Sequence, residues 1–255
     1  MLPAALLQHV EDAGLNASAP PQQRWVDGWL VRLCPGKARR SRCINAVAAG
    51  RQPIAAKLAR CEAAYAQAGL PLLFRITPFS QPAGLETHLD YLGLQPFDDT
   101  RVMVLQHLAE AEVPALPDGV ALRDLPAEAF TQRVGAWRGS PLAHRQSHAD
   151  RLRNSPVPFH AFELVVDGEP VACGQFALED GLVGLYDVFT HEAARGRGHA
   201  RLLCGMLLGR ARAMGAVHAY LQVDAANDPA LAVYRGLGFV DGYGYHYRAR
   251  DPAST

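Results

Sequence analysis

Apolar and polar positions along the chain change period many times, and each change marks an element. Residues 4–13 predict a short helix, followed by a breaker-rich stretch at 16–23. Strands are expected at 25–33 and 44–48, where β-branched, aromatic and other apolar residues cluster. Ile54, Leu58, Cys61 and Tyr65 fall three or four apart, which predicts a helix over 54–67 stopped by Gly69. A compact apolar strand at 70–77, a short helix at 85–92 ending at Gly93, and a strand at 100–107 complete the first half.

Pro114 and Pro117, among small and acidic residues at 109–118, read as a linker. A second cycle then begins. It runs through a strand at 120–122, helices at 126–137 and 144–153, and a hairpin of 159–166 with 170–178 about Asp167-Gly168. A strand at 182–190, a helix at 198–214 stopped by Gly215 and a strand at 217–223 follow. A short helix at 229–235 and a strand at 239–248 close the chain. Tyr91-Leu92-Gly93-Leu94 precedes the last strand of the first half as Gly236-Leu237-Gly238-Phe239 precedes that of the second. Together with the shared order of elements, this points to an internal duplication.

Composition narrows the class. Of 255 residues, 49% are apolar and 20% charged, a globular profile. The 25 basic and 25 acidic side chains cancel, so no bulk field draws in nucleic acid or an acidic membrane, and a charged ligand needs a local device. The five cysteines are odd in number and form no C-x-x-C pair, as expected of reduced thiols in a cytoplasmic protein. The apolar N-terminus lacks a basic region, and no apolar run spans a bilayer.

The local device is the segment Arg195-Gly196-Arg197-Gly198-His199-Ala200, which joins an apolar strand to a helix. Glycines let backbone amides approach a bulky anion. The amides of a helix's first turn lack internal partners and sit at the positive end of its dipole, so a diphosphate is their natural ligand. A dinucleotide fingerprint would need a third glycine where Arg201 stands, and no G-K-[ST] triphosphatase loop is present. His191-Glu192 opens a zinc pattern whose second His is replaced by Arg195.

Arg195-x-x-Gly198-x-Ala200, after the strand Leu185-Tyr186-Asp187-Val188-Phe189-Thr190, resembles the signature of the GNAT acetyltransferase superfamily. Asn227-Asp228-Pro229-Ala230-Leu231-Ala232-Val233-Tyr234 and the Leu237-Gly238-Phe239 ending are similar to the superfamily's later segments. The resemblance covers 119–248, and the first half resembles a degenerate copy of the kind found in tandem members. It implies an α/β fold of two tandem GNAT-like domains, 1–113 and 119–255, each with a mixed, mostly antiparallel sheet flanked by helices. The implied activity is acetyl transfer from acetyl-CoA, without a metal, to a primary amine of a small molecule or peptide, by direct attack in a ternary complex. A monomer or homodimer is expected.

On this resemblance the backbone of Val188, Phe189 and Thr190 holds the pantetheine arm and the amides of 196–200 hold the pyrophosphate, with Arg195 and Arg197 adding charge. Asn227 contacts the cofactor or caps a helix at Pro229, and Tyr234 is the general acid toward the leaving thiolate. Thr190 and Glu192 depart from the usual aliphatic residue and proline. Asp187 is the first candidate for a general base, with Glu163 and His160 behind it. His144 and His148 have metal-pair spacing but no acidic partner nearby in sequence, which favours surface residues. The cluster Lys37, Arg39, Arg40, Arg42 reads as a solvated loop or a wall for an anionic acceptor. Two other functions remain open: a CoA-binding sensor without chemistry, and an acyltransferase using a longer acyl-CoA or a carrier protein.

Overall fold

Residues 2–36 and 38–255 are described by a computed structural model; Met1 and Lys37 lie outside it. In chain order the elements are α1 (Ala4–Ala17), β1 (Gln23–Val26), β2 (Trp29–Arg32), β3 (Ile44–Asn45), α2 (Ile54–Ala68), β4 (Phe74–Ile76), α3 (Leu85–Tyr91) and β5 (Gln95–Leu105). There follow β6 (Val120–Leu125), α4 (Ala127–Trp137), α5 (Leu142–Arg153), β7 (Phe159–Val166), β8 (Glu169–Glu179) and β9 (Leu182–Thr190). Last come α6 (His199–Ala213), β10 (His218–Asp224), α7 (Asp228–Gly236) and β11 (Val240–Ala249). The fold is mixed α/β, as the resemblance implies.

One expected strand proves to be two. The stretch 25–33 folds back on itself, pairing Val26 with Trp29 across Asp27-Gly28. Asp27 and Gly28 take φ of 44° and 87°, the left-handed pair that a two-residue hairpin needs and that Asp-Gly supplies. The same dipeptide turns β7 into β8 at Asp167-Gly168 and β8 into β9 at Asp180-Gly181.

Two compact units emerge, and each is assembled from three separate stretches of the chain. The first gathers residues up to Ala17, Val102–Val223 and Asn227–Gly242. The second gathers Ser18–Arg101, Asp224–Ala226 and Tyr243–Thr255. In the first unit β6, β7, β8 and β9 run antiparallel in order, and β10 joins β9 in parallel through the crossover helix α6. In the second, β1, β2 and β3 run antiparallel and β4 joins β3 in parallel after α2, with β11 antiparallel beyond it. A meander closed by a parallel crossover thus occurs in both.

The first unit's main core lies between α6 and the sheet, where Leu203, Leu207 and Ala211 meet Phe176, Val183, Leu185 and Leu221. The spacing of those helix residues is four, one face of α6. Helix α1 also belongs to this unit: Asn16 Nδ2 donates to Glu179 Oε1 at 3.0 Å, and Ala17 is buried with Val157 and Ala177. The second unit is centred on Trp29, Tyr65 and Phe74. Tyr65 spends its hydroxyl on the carbonyls of Arg32 and Arg42, at 2.9 Å each.

The expected linker is packed. A Cβ added to Gly205 would fall 2.7 Å from Pro114 Cδ, and one added to Gly209 would fall 2.6 Å from Val113 Cγ1. Glycines four apart therefore cut a groove along α6 into which residues 113–114 lie as a strap. Arg212 Nη1 fastens it by donating to the carbonyls of Ala109 and Ala111.

Candidate active site

Strands β9 and β10 pair only from Leu182↔His218 to Leu185↔Leu221, although both continue further. The cause is in β9. Opposite the single residue Gly174 of β8, β9 carries two residues, Asp187 and Val188, and Asp187 has φ of 49°. Such a bulge bends the strand and sharpens its twist. Beyond it, the β9–β10 register does not extend to residues 188–190, and the cleft between the strands opens in a wedge.

The wedge is a cavity of about 600 Å³, within the range of small-molecule sites. Val188, Phe189 and Thr190 line one side, Asn227 and Tyr234 the other, and Arg195, Gly196, Gly198, His199 and Ala200 its end. Ten of the residues expected from the sequence to bind or react with the donor therefore surround one space. Arg197 is exposed on the turn itself, and Asp187 stands just behind the lining.

The turn fits an anion. Gly196 and Gly198 have φ of 75° and 79°, and a Cβ at either would meet no atom within 4 Å. The first backbone bond of α6 is Leu202 N–H to Gly198 O at 3.1 Å, so the preceding amides have no helical carbonyl to donate to. Arg195 folds back along the strand, its Nε 3.4 Å from Thr190 O and its guanidinium 5.5 Å from the centre of the Phe189 ring. Free amides, helix dipole and arginines all favour negative charge at one place.

The corresponding turn of the second unit is filled from within. Asp27 Oδ2 accepts from the amides of Arg51 and Gln52, at 2.8 and 2.7 Å, just before α2. The Gln52 amide bond chiefly holds the Asp27 carboxyl below its usual value, against some desolvation. The protein's own carboxylate takes up the amides that α6 leaves open.

Tyr234 packs edge-on to Phe239, ring centres 6.1 Å apart. Burial, with Cys204 adding to it, pushes its phenol well above the usual range, so it keeps its proton. Asn227 Oδ1 caps α7 by accepting from Ala230 N at 3.2 Å, with Pro229 in the first turn.

Asp187 sits in a network the sequence did not disclose. Its Oδ1 lies 2.8 Å from Arg138 Nη1, and its Oδ2 accepts from Gln175 Nε2 at 2.8 Å and lies 3.3 Å from His148 Nε2. Desolvation alone would raise its pKa, but the His148 contact and the Arg138 guanidinium together hold it well below the usual carboxylate range. His148 is thus no solvated surface residue: its acidic partner is 39 positions away in sequence, where local spacing cannot reveal it. His144 is exposed, and no cluster of three metal-ligating side chains occurs among the described residues. Glu163 is paired with Arg133 at 3.2 Å, and His160 stacks on Phe176 at 5.0 Å. In the basic cluster Arg39 is tied to Asp98 at 2.8 Å, and Lys37 lies outside the described residues.

A bulged, splayed strand, an open helix-start turn and a phenol across one cavity define a GNAT-type N-acetyltransferase, an acyltransferase. The chain matches the family described as "Probable histone acetyltransferase Rv0428c C-terminal" over residues 4–249, and belongs to it and to the GNAT superfamily. Among solved structures it is similar to a GCN5-related N-acetyltransferase from Kribbella flavida, with a TM-score of 0.72 and 21% identity, covering 99% of this chain and 96% of that one. A GCN5-related N-acetyltransferase from Sphaerobacter thermophilus gives a TM-score of 0.61 at 20% identity over 76% and 66% of the two chains. A tandem GNAT protein from the clavulanic acid biosynthesis pathway gives 0.58 at 16% over 78% and 70%. At these identities the likeness is one of fold. No curated protein matches the chain.

Proposed function

We propose that the protein transfers an acetyl group from acetyl-CoA to a primary amine by direct attack within a ternary complex. The observation that carries this reading is the single cavity bounded by the open turn at 196–200 at one end and by Tyr234 along its side. The turn amides with Arg195 and Arg197 hold the diphosphate. The unpaired backbone of Val188–Thr190 supplies hydrogen bonds to the pantetheine amides, as an added strand would. The neutral amine nitrogen attacks the thioester carbonyl, the C–N bond forms as the C–S bond breaks, and Tyr234 delivers its proton to the departing sulfur. The proton shed by the amine nitrogen passes through solvent to restore the phenol. The acceptor amine belongs to a small molecule or a peptide; an amine of a histone, the protein named in the family description, is one such acceptor.

Asp187 enters this reading with an altered part. A carboxylate held so far below its usual range, between Arg138 and His148, accepts a proton poorly. Its place is to fix Arg138 and His148 beside the donor strand.

The direct test is Tyr234→Phe. Turnover of acetyl-CoA with a responsive amine falls by about 100-fold, the usual worth of a positioned acid, while CoA affinity stays within about twofold. An unchanged turnover would remove the phenol from the mechanism. Thiol release that stays undetectable across a broad amine panel, with acetyl-CoA still bound, would favour the sensor.

A further inference from the structure

Val188 is the residue of the lining strand that lies farthest along the chain from the turn at 196–200, and Asp187 comes immediately before it. A donor laid along Val188–Thr190 from that turn ends at the bulge, so its thioester comes next to the Asp187 network. There α5 contributes His148, a side chain that the reaction above does not use. Its Nε2 is enclosed and faces Asp187 Oδ2 at 3.3 Å. The Phe130 ring, fully buried, meets the imidazole at 76° with centres 6.4 Å apart. Gln175, also without exposed surface, donates to the same Oδ2 at 2.8 Å and fixes the carboxylate.

This arrangement divides the work of the two ring nitrogens. A neutral imidazole facing a carboxylate carries its proton on the facing nitrogen, here Nε2, and keeps a lone pair on the other. Nδ1 has no partner among the described residues and is not enclosed, and the side chain as a whole keeps 20% of its exposure. Despite desolvation, Asp187 stays anionic at neutral pH and can stabilise a charged ring. The other charged groups nearby are engaged: Arg138 with Asp187, Arg133 with Glu163 and Arg145 with the Ser140 carbonyl. On α5 itself Asp150 is held by Arg153, Arg151 has partners of its own, and His144 is exposed.

We propose that His148 is the base that prepares the acceptor, with Asp187 and Gln175 as its positioning residues. An N–H bond of the acceptor ammonium breaks, its proton goes to Nδ1, and its electron pair stays on the nitrogen as the lone pair that attacks. The imidazolium, steadied by Asp187, then passes the proton to solvent. The inference rests on the transfer reading above and deepens it. It moves the basic group from the strands to α5.

The test compares two acceptors small enough to enter any cleft: methylamine, an ammonium at neutral pH, and hydroxylamine, which is neutral there. His148→Gln keeps an N–H toward Asp187 but no basic nitrogen. Thiol release from acetyl-CoA in this variant falls about 100-fold with methylamine and less than about threefold with hydroxylamine. Imidazole added to His148→Ala restores methylamine turnover, and does nothing for Tyr234→Phe. A thermal melt and an unchanged acetyl-CoA affinity show that the variants are folded. Equal losses with the two acceptors, or none with methylamine, overturn the inference and leave the transfer reading standing. A wild-type chain that binds acetyl-CoA and releases no thiol with either acceptor overturns the transfer reading itself.

Discussion

Asp187 is prominent in the site as the centre of a charge network formed with Arg138, His148 and Gln175. It adopts φ of 49° at the bulge, a conformation that Asp and Asn tolerate better than most residues. Asp187→Asn therefore removes charge with little backbone strain. The native carboxyl is held below its unfolded value near 3.9. Its stabilising effect is complete above the unfolded pKa and is lost as pH falls toward the folded one. The variant should thus lose about 1–3 kcal/mol at pH 7, as expected for a charge removed from a half-buried pair, and the gap should close below about pH 4 in pH-dependent unfolding. A gap independent of pH would place the effect in packing instead. Little of this network was legible in the sequence. Asp187 stood out by its strand, but Arg138, His148 and Gln175 lie 49, 39 and 12 positions away and meet it only through the fold.

At the level of elements, the start of α6 and the strap make separate demands on glycine. At Gly198 a side chain has room, with nothing within 4 Å, but its φ of 79° costs an L-residue about 1–2 kcal/mol. Gly198→Ala should destabilise by that order and weaken coenzyme A at least tenfold, since the methyl enters the space intended for the anion; calorimetry and a melt measure the two effects separately. Gly205 has the reverse constraint. It is helical, and alanine would gain about 1 kcal/mol of propensity, but its methyl would meet the rigid Pro114 ring at 2.7 Å. Gly205→Ala should therefore lower stability by about 1–3 kcal/mol as the strap is displaced; a gain would show the strap to be loosely held. The turn at 195–200 was legible as a turn because a glycine pair before a helix has a recognisable sequence form. The strap was read only as a linker, because nothing in prolines and small residues says which helix they will lie on. The hairpin at Asp27-Gly28 was missed although Asp167-Gly168 was not, because Val26 and Trp29 continue one apolar run across the turn.

For the whole molecule, the repeat of a meander with a parallel crossover in both units gives structural form to the duplication suggested by Gly93 and Gly238. The units differ at the start of their crossover helices. One presents free amides to a cavity, and the other bonds its amides to Asp27. Titration should accordingly give one coenzyme A per chain. The interleaving of chain ends, with α1 in one unit and residues from Tyr243 onward in the other, was hidden from the sequence because apolar faces of α1 and β11 do not name their partners. The measurement that bears most directly on the central claim is a crystal structure of the chain with acetyl-CoA. The expected result is the diphosphate on the amides of 196–200, the pantetheine along Val188–Thr190 and the thioester sulfur within hydrogen-bonding reach of the Tyr234 hydroxyl. Acetyl-CoA bound away from that turn, or with its thioester directed away from Tyr234, would contradict it.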